Sequence, residues 1–268
     1  MDFYQKSWYN ILKFYFDFFH KKEEVLLLKR SIQGVEFDDL SLEQAIQAGV
    51  GLVRSDSFHY VVTPNPEFVM LAQKDPEFRA LLNSADLTIP DGIGIIYASK
   101  ILGVSLRGRV PGIDFASGVM DSLNASGGGR VYLLGAKPGV AEDAAANLSR
   151  RYPSLTFCGC HDGYFQEDGP VVEAVKAARP DLLLVCLGAP KQEKWMAAHG
   201  PETGAHLAIG LGGALDVFAG RVERAPEGWQ KLGLEWLYRL KKEPQRIGRM
   251  ARLPLFLVGA LGARLRGK

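Results

Sequence analysis

The chain lacks any run of the roughly 18–20 uninterrupted apolar residues that a transmembrane helix requires, and its N-terminus lacks the basic region, apolar stretch and small-residue cleavage site of a signal peptide. It is therefore expected neither to span nor to cross a membrane. Cysteine is scarce, at 3 in 268 residues, which excludes a disulfide framework and fits a reducing, cytoplasmic compartment. The Cys158-Gly-Cys160 spacing is too short for a zinc knuckle, and no His cluster converges on it, so no metal site is assigned. A turn running through His161 and Asp162 into Gly163-Tyr164-Phe165 accounts for these residues better. There is no Asp-x-Asp pair to hold a divalent cation on a nucleotide diphosphate. No complete G-x-G-x-x-G fingerprint follows a strand either, which argues against a nicotinamide-dependent oxidoreductase.

What is present is unevenly distributed. The net charge is only +2, yet residues 221–268 hold twelve Lys/Arg against four Asp/Glu, leaving a mildly acidic remainder. A basic tail on an acidic body points to an anionic partner. Residues 3–19 carry nine aromatics interrupted by Lys6, Lys13 and Asp17, and residues 253–263 form an apolar stretch flanked by arginines on both sides. Both segments suit the headgroup layer of an anionic membrane surface, where amphipathic rings and snorkelling cations are satisfied together. For the aromatic leader the alternative is packing on the body or on a second copy in a homo-oligomer. Nucleic acid is a poor partner, because the basic surplus accompanies an apolar helix and no aromatic-rich recognition motif is present.

Hydrophobic patterning predicts an α/β body: a Rossmann-like, largely parallel sheet with helices on both faces, plus a C-terminal helical appendage. A strand is expected over 24–30, then a helix entered by the capping box Ser41-Leu-Glu-Gln44 and running to about Val53. Further strands are expected at 59–62, 86–89, 130–134, 155–158, 181–187 and 206–209, most followed by a helix-compatible stretch. Runs such as Leu182-Leu-Leu-Val-Cys186 are apolar without alternation, as strands covered on both faces should be. The Ser126-Gly-Gly-Gly129 run reads as a loop before a strand. The chain divides into a leader over 1–22, an α/β catalytic domain over 23–220 and a basic helical, membrane-associating appendage over 221–268.

In an open parallel sheet, ligands bind beyond the carboxyl ends of the strands. Five turns fall there: Thr63-Pro-Asn65-Pro-Glu67, Pro90-Asp91-Gly-Ile-Gly94, Gly135-Ala-Lys137-Pro-Gly139, Gly188-Ala-Pro-Lys-Gln192-Glu193 and Gly210-Leu-Gly212-Gly213-Ala-Leu-Asp216. All bear polar residues, so one ligand cleft is a better account than five unrelated turns. Asp91 is the most informative carboxylate. Between Pro90 and Gly92 it can cap the following helix or act as a general base, and its local setting leaves both open. Arg239, Arg246 and Arg249 of the appendage can offer guanidinium groups to phosphate oxygens, or form a solvated or lipid-facing basic surface.

The runs Thr63-Pro-Asn65-Pro-Glu67, Ala85-Asp-Leu-Thr-Ile-Pro-Asp91-Gly-Ile-Gly94, Arg109-Val-Pro-Gly-Ile-Asp114, Gly188-Ala-Pro-Lys-Gln192-Glu193 and Arg224-Ala-Pro226 through Glu235-Trp-Leu-Tyr-Arg239 together resemble the WecG/TagA/CpsF glycosyltransferase family, over about residues 30–255. The resemblance implies an inverting, metal-independent transfer without a cofactor. The donor would be a UDP-sugar carrying N-acetylmannosamine, its uronic acid or glucose. The acceptor would be a polyprenyl-diphosphate-linked sugar at the cytoplasmic membrane face, in teichoic acid, common antigen or capsule synthesis, with the protein bound peripherally. By the same matching, Asp91 is the general base, and Thr63 and Asn65 line the sugar pocket with it. Arg109, Gln192 and Asp216 contact the nucleotide-sugar, Gly212 is counted with them, and Tyr164 lies near the uracil. Arg239, Arg246 and Arg249 close over the diphosphate. The leader falls outside the family pattern. A non-catalytic UDP-sugar-binding module at the membrane is the alternative.

Overall fold

The computed structural model describes residues 28–231, 233–242 and 252–266. The aromatic leader and the arginines Arg246 and Arg249 lie outside these residues, as does most of the strand expected at 24–30. The described strands are β1 (Lys29–Ile32), β2 (Val35–Asp38), β3 (His59–Val62), β4 (Leu87–Thr88), β5 (Gly129–Gly135), β6 (Leu155–His161), β7 (Leu182–Cys186) and β8 (Leu207–Gly210). β1 and β2 form an antiparallel hairpin, and the other six make one parallel sheet in the order β4-β3-β8-β7-β5-β6. The hairpin is closed by Gln33 and Gly34, at φ 53° and 90°, the left-handed pair that a two-residue turn matching strand twist requires.

Side chains alternate across the sheet into two separate cores. Tyr60, Val62, Leu183 and Val185 face one, and Val61, Leu182, Leu184 and Cys186 face the other. This two-sided burial explains the unalternating apolar runs in sequence. Crossovers between parallel strands are right-handed, so the direction of travel decides each helix's face. The return steps β6→β7→β8 and the step β3→β4 put Asp168–Ala178, Lys191–Thr203, Pro66–Ala72 and Pro76–Asn83 on one face. The opposite step β5→β6 puts Val140–Arg151 on the other, where Leu42–Val53 and Gly112–Ala125 also pack. Connections leave β5 and β7 in opposite directions although these strands are neighbours. That divergence opens a crevice at their carboxyl ends.

Most expected elements lie where the patterning placed them. Ser41 caps Leu42–Val53 with the full capping box to Gln44. One local reading is corrected. Cys160 and His161 belong to β6, which runs past the strand expected at 155–158, rather than to a turn, because they extend the ladder to β5 as far as Leu134↔His161. Burial pushes the Cys158 and Cys160 thiols up, as desolvation of a half-buried thiol does. At the opposite sheet edge β4 is only two residues long. The Thr88 amide there is taken by the buried Asp38 carboxylate of β2 at 2.8 Å, so the hairpin holds the strand that leads to Asp91.

The C-terminal segment contributes helices Glu227–Lys231, Glu235–Lys242 and Arg252–Leu265. The last one shares the core of the body: Phe256 and Ala260 are buried among residues of Pro66–Ala72 and Ile93–Leu102. Arg264 donates to the Ile101 carbonyl at 2.6 Å, and Gln33 donates to the Phe256 carbonyl at 3.1 Å. The close approach depends on Gly94, where an added Cβ would stand 2.4 Å from Leu253 Cδ1 and 2.6 Å from Pro66 Cγ. Gly94→Val is expected to unseat this helix and cost about 1–3 kcal/mol. An unchanged Tm and an unchanged rate of proteolysis after residue 250 would contradict this packing.

Candidate active site

The turns after β3, β4 and β8 are laced together by short hydrogen bonds. Thr63 is nearly buried, and its hydroxyl donates to the Gly210 carbonyl at 2.8 Å. The Asp91 amide donates to the Pro64 carbonyl at 3.2 Å, and the Val110 amide to the Pro90 carbonyl at 2.9 Å. These contacts bring Thr63, Asn65, Asp91 and Arg109 to one corner of the sheet. Asn65 caps Pro66–Ala72, its Oδ1 accepting from the Glu67 and Phe68 amides, so what it can offer a sugar is its Nδ2 donor.

Asp91 does not play the bland part open to it. The helix Ile93–Leu102 is capped by Gly92, at φ 97°, with no side-chain cap bond. Asp91 therefore stands one residue ahead of the N-cap, at the strand-end turn, rather than in the capping position itself.

Around Asp91 lies a network of charges. Arg224 is gripped by Asp114, Nη1 to Oδ1 at 2.5 Å and Nη2 to Oδ2 at 3.2 Å, a bidentate pair that fixes the guanidinium plane. Glu235 reaches Arg109 Nη1 with Oε2 at 3.3 Å and Arg224 Nε with Oε1 at 3.7 Å. Burial alone would lower the Arg224 pKa, but Asp114, then Glu235 and Asp91, more than offset it and the value is raised. Arg224 is thus a fixed cation that feels the Asp91 charge.

At the crevice between β5 and β7, Gly135 (φ 129°) lies so close to the Cys186 carbonyl that an added Cβ would meet its oxygen at 2.3 Å. Gln192 sits beneath the β7 and β8 turns, fully buried. Its Oε1 accepts from Gly188 N at 3.2 Å and Gly212 N at 3.0 Å, and its Nε2 donates to Glu193 Oε1 at 2.7 Å. Asp216 lies just beyond, in the first turn of Ala214–Phe218.

The chain matches the model of the glycosyl transferase WecG/TagA/CpsF family over residues 30–268. It belongs to that family. A Staphylococcus aureus (strain MW2) protein named N-acetylglucosaminyldiphosphoundecaprenol N-acetyl-beta-D-mannosaminyltransferase is 36% identical over 232 residues, covering 85% of this chain and 91% of the relative. A protein of the same name from Bacillus spizizenii (strain ATCC 23059 / NRRL B-14472 / W23) is 35% identical over 202 residues, covering 75% and 78%.

In this glycosyltransferase the corner around Asp91 gathers Thr63, Asn65 and Arg109, while Gln192 and Gly212 sit together at the ends of β7 and β8. Gln192 has its oxygen on two turn amides, so it holds Gly188 and Gly212 in place. Tyr164 stands farther along the same edge, after β6, 66% exposed and with its amide on Asp162 Oδ1. The neighbouring Gly163 donates to the Ala136 carbonyl at 2.9 Å and accepts from Lys191 Nζ at 3.1 Å, which ties this turn to those after β5 and β7. Arg239 lies in Glu235–Lys242. Asp114, Arg224 and Glu235 carried the family resemblance but were not singled out as site residues. Their only sequence signal was membership of those motifs, since the pairing joins positions 110 and 126 residues apart.

Two clefts among the described residues lie outside the site. One of about 200 Å³, between Ile113, Asn147, Arg151 and Phe218, borders it through Arg224. The other, of about 280 Å³, lies by Arg54, Asp181 and His206 at the amino ends of the strands.

Glu193 supplies a pH signature. It is fully buried with Oε2 lacking a hydrogen-bond partner, and burial pushes its carboxyl up to about 7 against the opposing bond from Gln192. Because the folded value exceeds the unfolded one, the stability this group contributes is complete below the ordinary carboxyl range and is lost as pH rises through about 7. Glu193→Gln is expected to recover up to roughly 3 kcal/mol at about pH 8 and little at about pH 4. Parallel Tm–pH curves for the two proteins would contradict this.

Proposed function

We propose that the protein transfers a sugar from a UDP-sugar to a polyprenyl-diphosphate-linked saccharide, inverting the anomeric configuration without a metal. The observation that carries the reading is Asp91: a carboxylate at a strand-end turn, one residue ahead of the Gly92 cap, with its backbone tied to the turn that holds Thr63 and Asn65 and its neighbour Pro90 tied to Val110 beside Arg109. Asp91 takes the proton of an acceptor hydroxyl as the oxygen attacks the anomeric carbon. The bond from that carbon to the diphosphate breaks, and its electron pair leaves with UDP. Arg109, with Arg239, Arg246 and Arg249 of the C-terminal segment, stabilises the departing charge. The names of the two relatives make N-acetylmannosamine the first sugar to test, with N-acetylglucosamine-diphosphoundecaprenol as acceptor.

Asp91→Asn is expected to retain UDP-sugar binding and lose transfer by about 10²–10⁴-fold, followed as UDP release with a lipid-linked acceptor. Near-normal turnover would exclude Asp91 as the base. UDP-sugar binding without turnover in the unaltered protein would favour a binding module instead.

The acceptor chemistry calls for a membrane, and no helix among the described residues is long and apolar enough to cross one. Peripheral contact through the C-terminal segment, on the cytoplasmic face, is the proposed arrangement. Its support is a stripe on the outward side of Arg252–Leu265, where Leu255, Val258, Leu261 and Leu265 are all at least half exposed. Burying such side chains in the interface is worth about 1.5–3 kcal/mol each. Leu255→Asp with Val258→Asp is expected to abolish sedimentation with anionic vesicles while transfer to a short, water-soluble acceptor persists. Unaltered sedimentation would place the membrane contact elsewhere.

A further inference from the structure

Two guanidinium groups from distant parts of the chain converge on one carboxylate. Glu235 offers Oε2 to Arg109 and Oε1 to Arg224, much as two non-bridging oxygens of a phosphate would be shared between two arginines. The Arg224 side is incomplete. Nη1 and Nη2 each donate to Asp114, but the buried Nε has no hydrogen-bond partner, because 3.7 Å to Glu235 is beyond hydrogen-bond reach. A buried, oriented donor aimed at an anion that does not quite reach it marks a place where another anion fits better.

The charges are consistent with exchange rather than joint occupancy. Among the described residues, Arg109 and Arg224 are set against Asp91, Asp114 and Glu235, so a diphosphate entering beside Glu235 would meet a carboxylate already on the two guanidinium groups, and withdrawing Glu235 removes that repulsion. Connectivity supplies the consequence. Arg109 and Asp114 belong to the body, whereas Glu235 opens the helix Glu235–Lys242, which also carries Arg239.

We infer that Arg109 and Arg224 form a diphosphate clamp whose internal occupant is Glu235, and that a substrate diphosphate displaces Glu235 and thereby releases Glu235–Lys242 to reposition its cations. This deepens the transfer reading above and rests on it for the identity of the ligand. The clamp itself is testable without turnover.

The test is calorimetric titration of the full-length protein with inorganic pyrophosphate, UDP and a short-chain prenyl diphosphate. Removing a competing carboxylate tightens binding, so Glu235→Gln is expected to bind pyrophosphate about 5–10-fold more tightly, and Arg224→Lys about 5-fold or more weakly. Should Glu235→Gln fail to fold, Glu235→Asp, which withdraws the charge by one methylene, is expected to shift binding the same way by less. A merely structural Glu235 gives the opposite sign, because loosening the helix weakens the site. Unchanged or weakened pyrophosphate binding in these Glu235 variants would overturn the inference. A gain seen with UDP assigns the clamp to the donor. A gain seen with prenyl diphosphate and not UDP keeps the clamp, gives it to the acceptor, and counts against the donor placement above.

Discussion

Parallel strands cannot be joined by hairpins, so each must return through a crossover that packs on one face of the sheet. That constraint orders the rest of this molecule. It buries β3, β5, β7 and β8 on both faces, and right-handed crossovers decide which helices cover which side. It also delivers every strand of the main sheet to the same edge. Thr63, Asp91, Gly135, Gly188 and Gly210 lie at the ends of strands, Thr63 and Gly210 being 147 residues apart in the chain, yet they come together because the sheet has no other polarity available.

The edge is then stiffened by side chains that carry no reactive role of their own. Gln192 ties two turns with one oxygen, Thr63 ties β3 to β8, and Asp38 reaches from the hairpin to hold β4. Such contacts hold the side chains at this edge in fixed positions, as any preorganised site requires. Glu193 beneath Gln192 is the cost of that arrangement: a carboxyl with one unsatisfied oxygen, kept where a neutral residue would pack more comfortably.

The sheet was legible because its apolar runs and intervening polar turns repeat, and the capping box at Ser41 announced its helix directly. The hairpin over Gln33-Gly34 was not, since four-residue strands beside an unremarkable glutamine give no period to detect. Cys160 and His161 were not read as strand because an edge strand exposes the residues that a central strand would bury. Apolarity over 253–263 suggested a lipid-facing segment, but Phe256 and Ala260 of that stretch lie in the core. A single apolar stripe cannot say which of its sides meets protein. In the site, Asp91 and Thr63 were visible as turn residues and Arg109 only through its family motif, whereas the Arg109–Glu235–Arg224–Asp114 network depends on long-range pairing that no local spacing encodes.

The central claim is that the strand-end turns form one ligand site with Asp91 in it. Amide hydrogen exchange of the full chain with and without a saturating UDP-sugar tests this directly. The account predicts joint protection of the turns following β3, β4, β7 and β8, together with residues 109–112. Protection confined to the amino ends of the strands, around Arg54, Asp181 and His206, would contradict it.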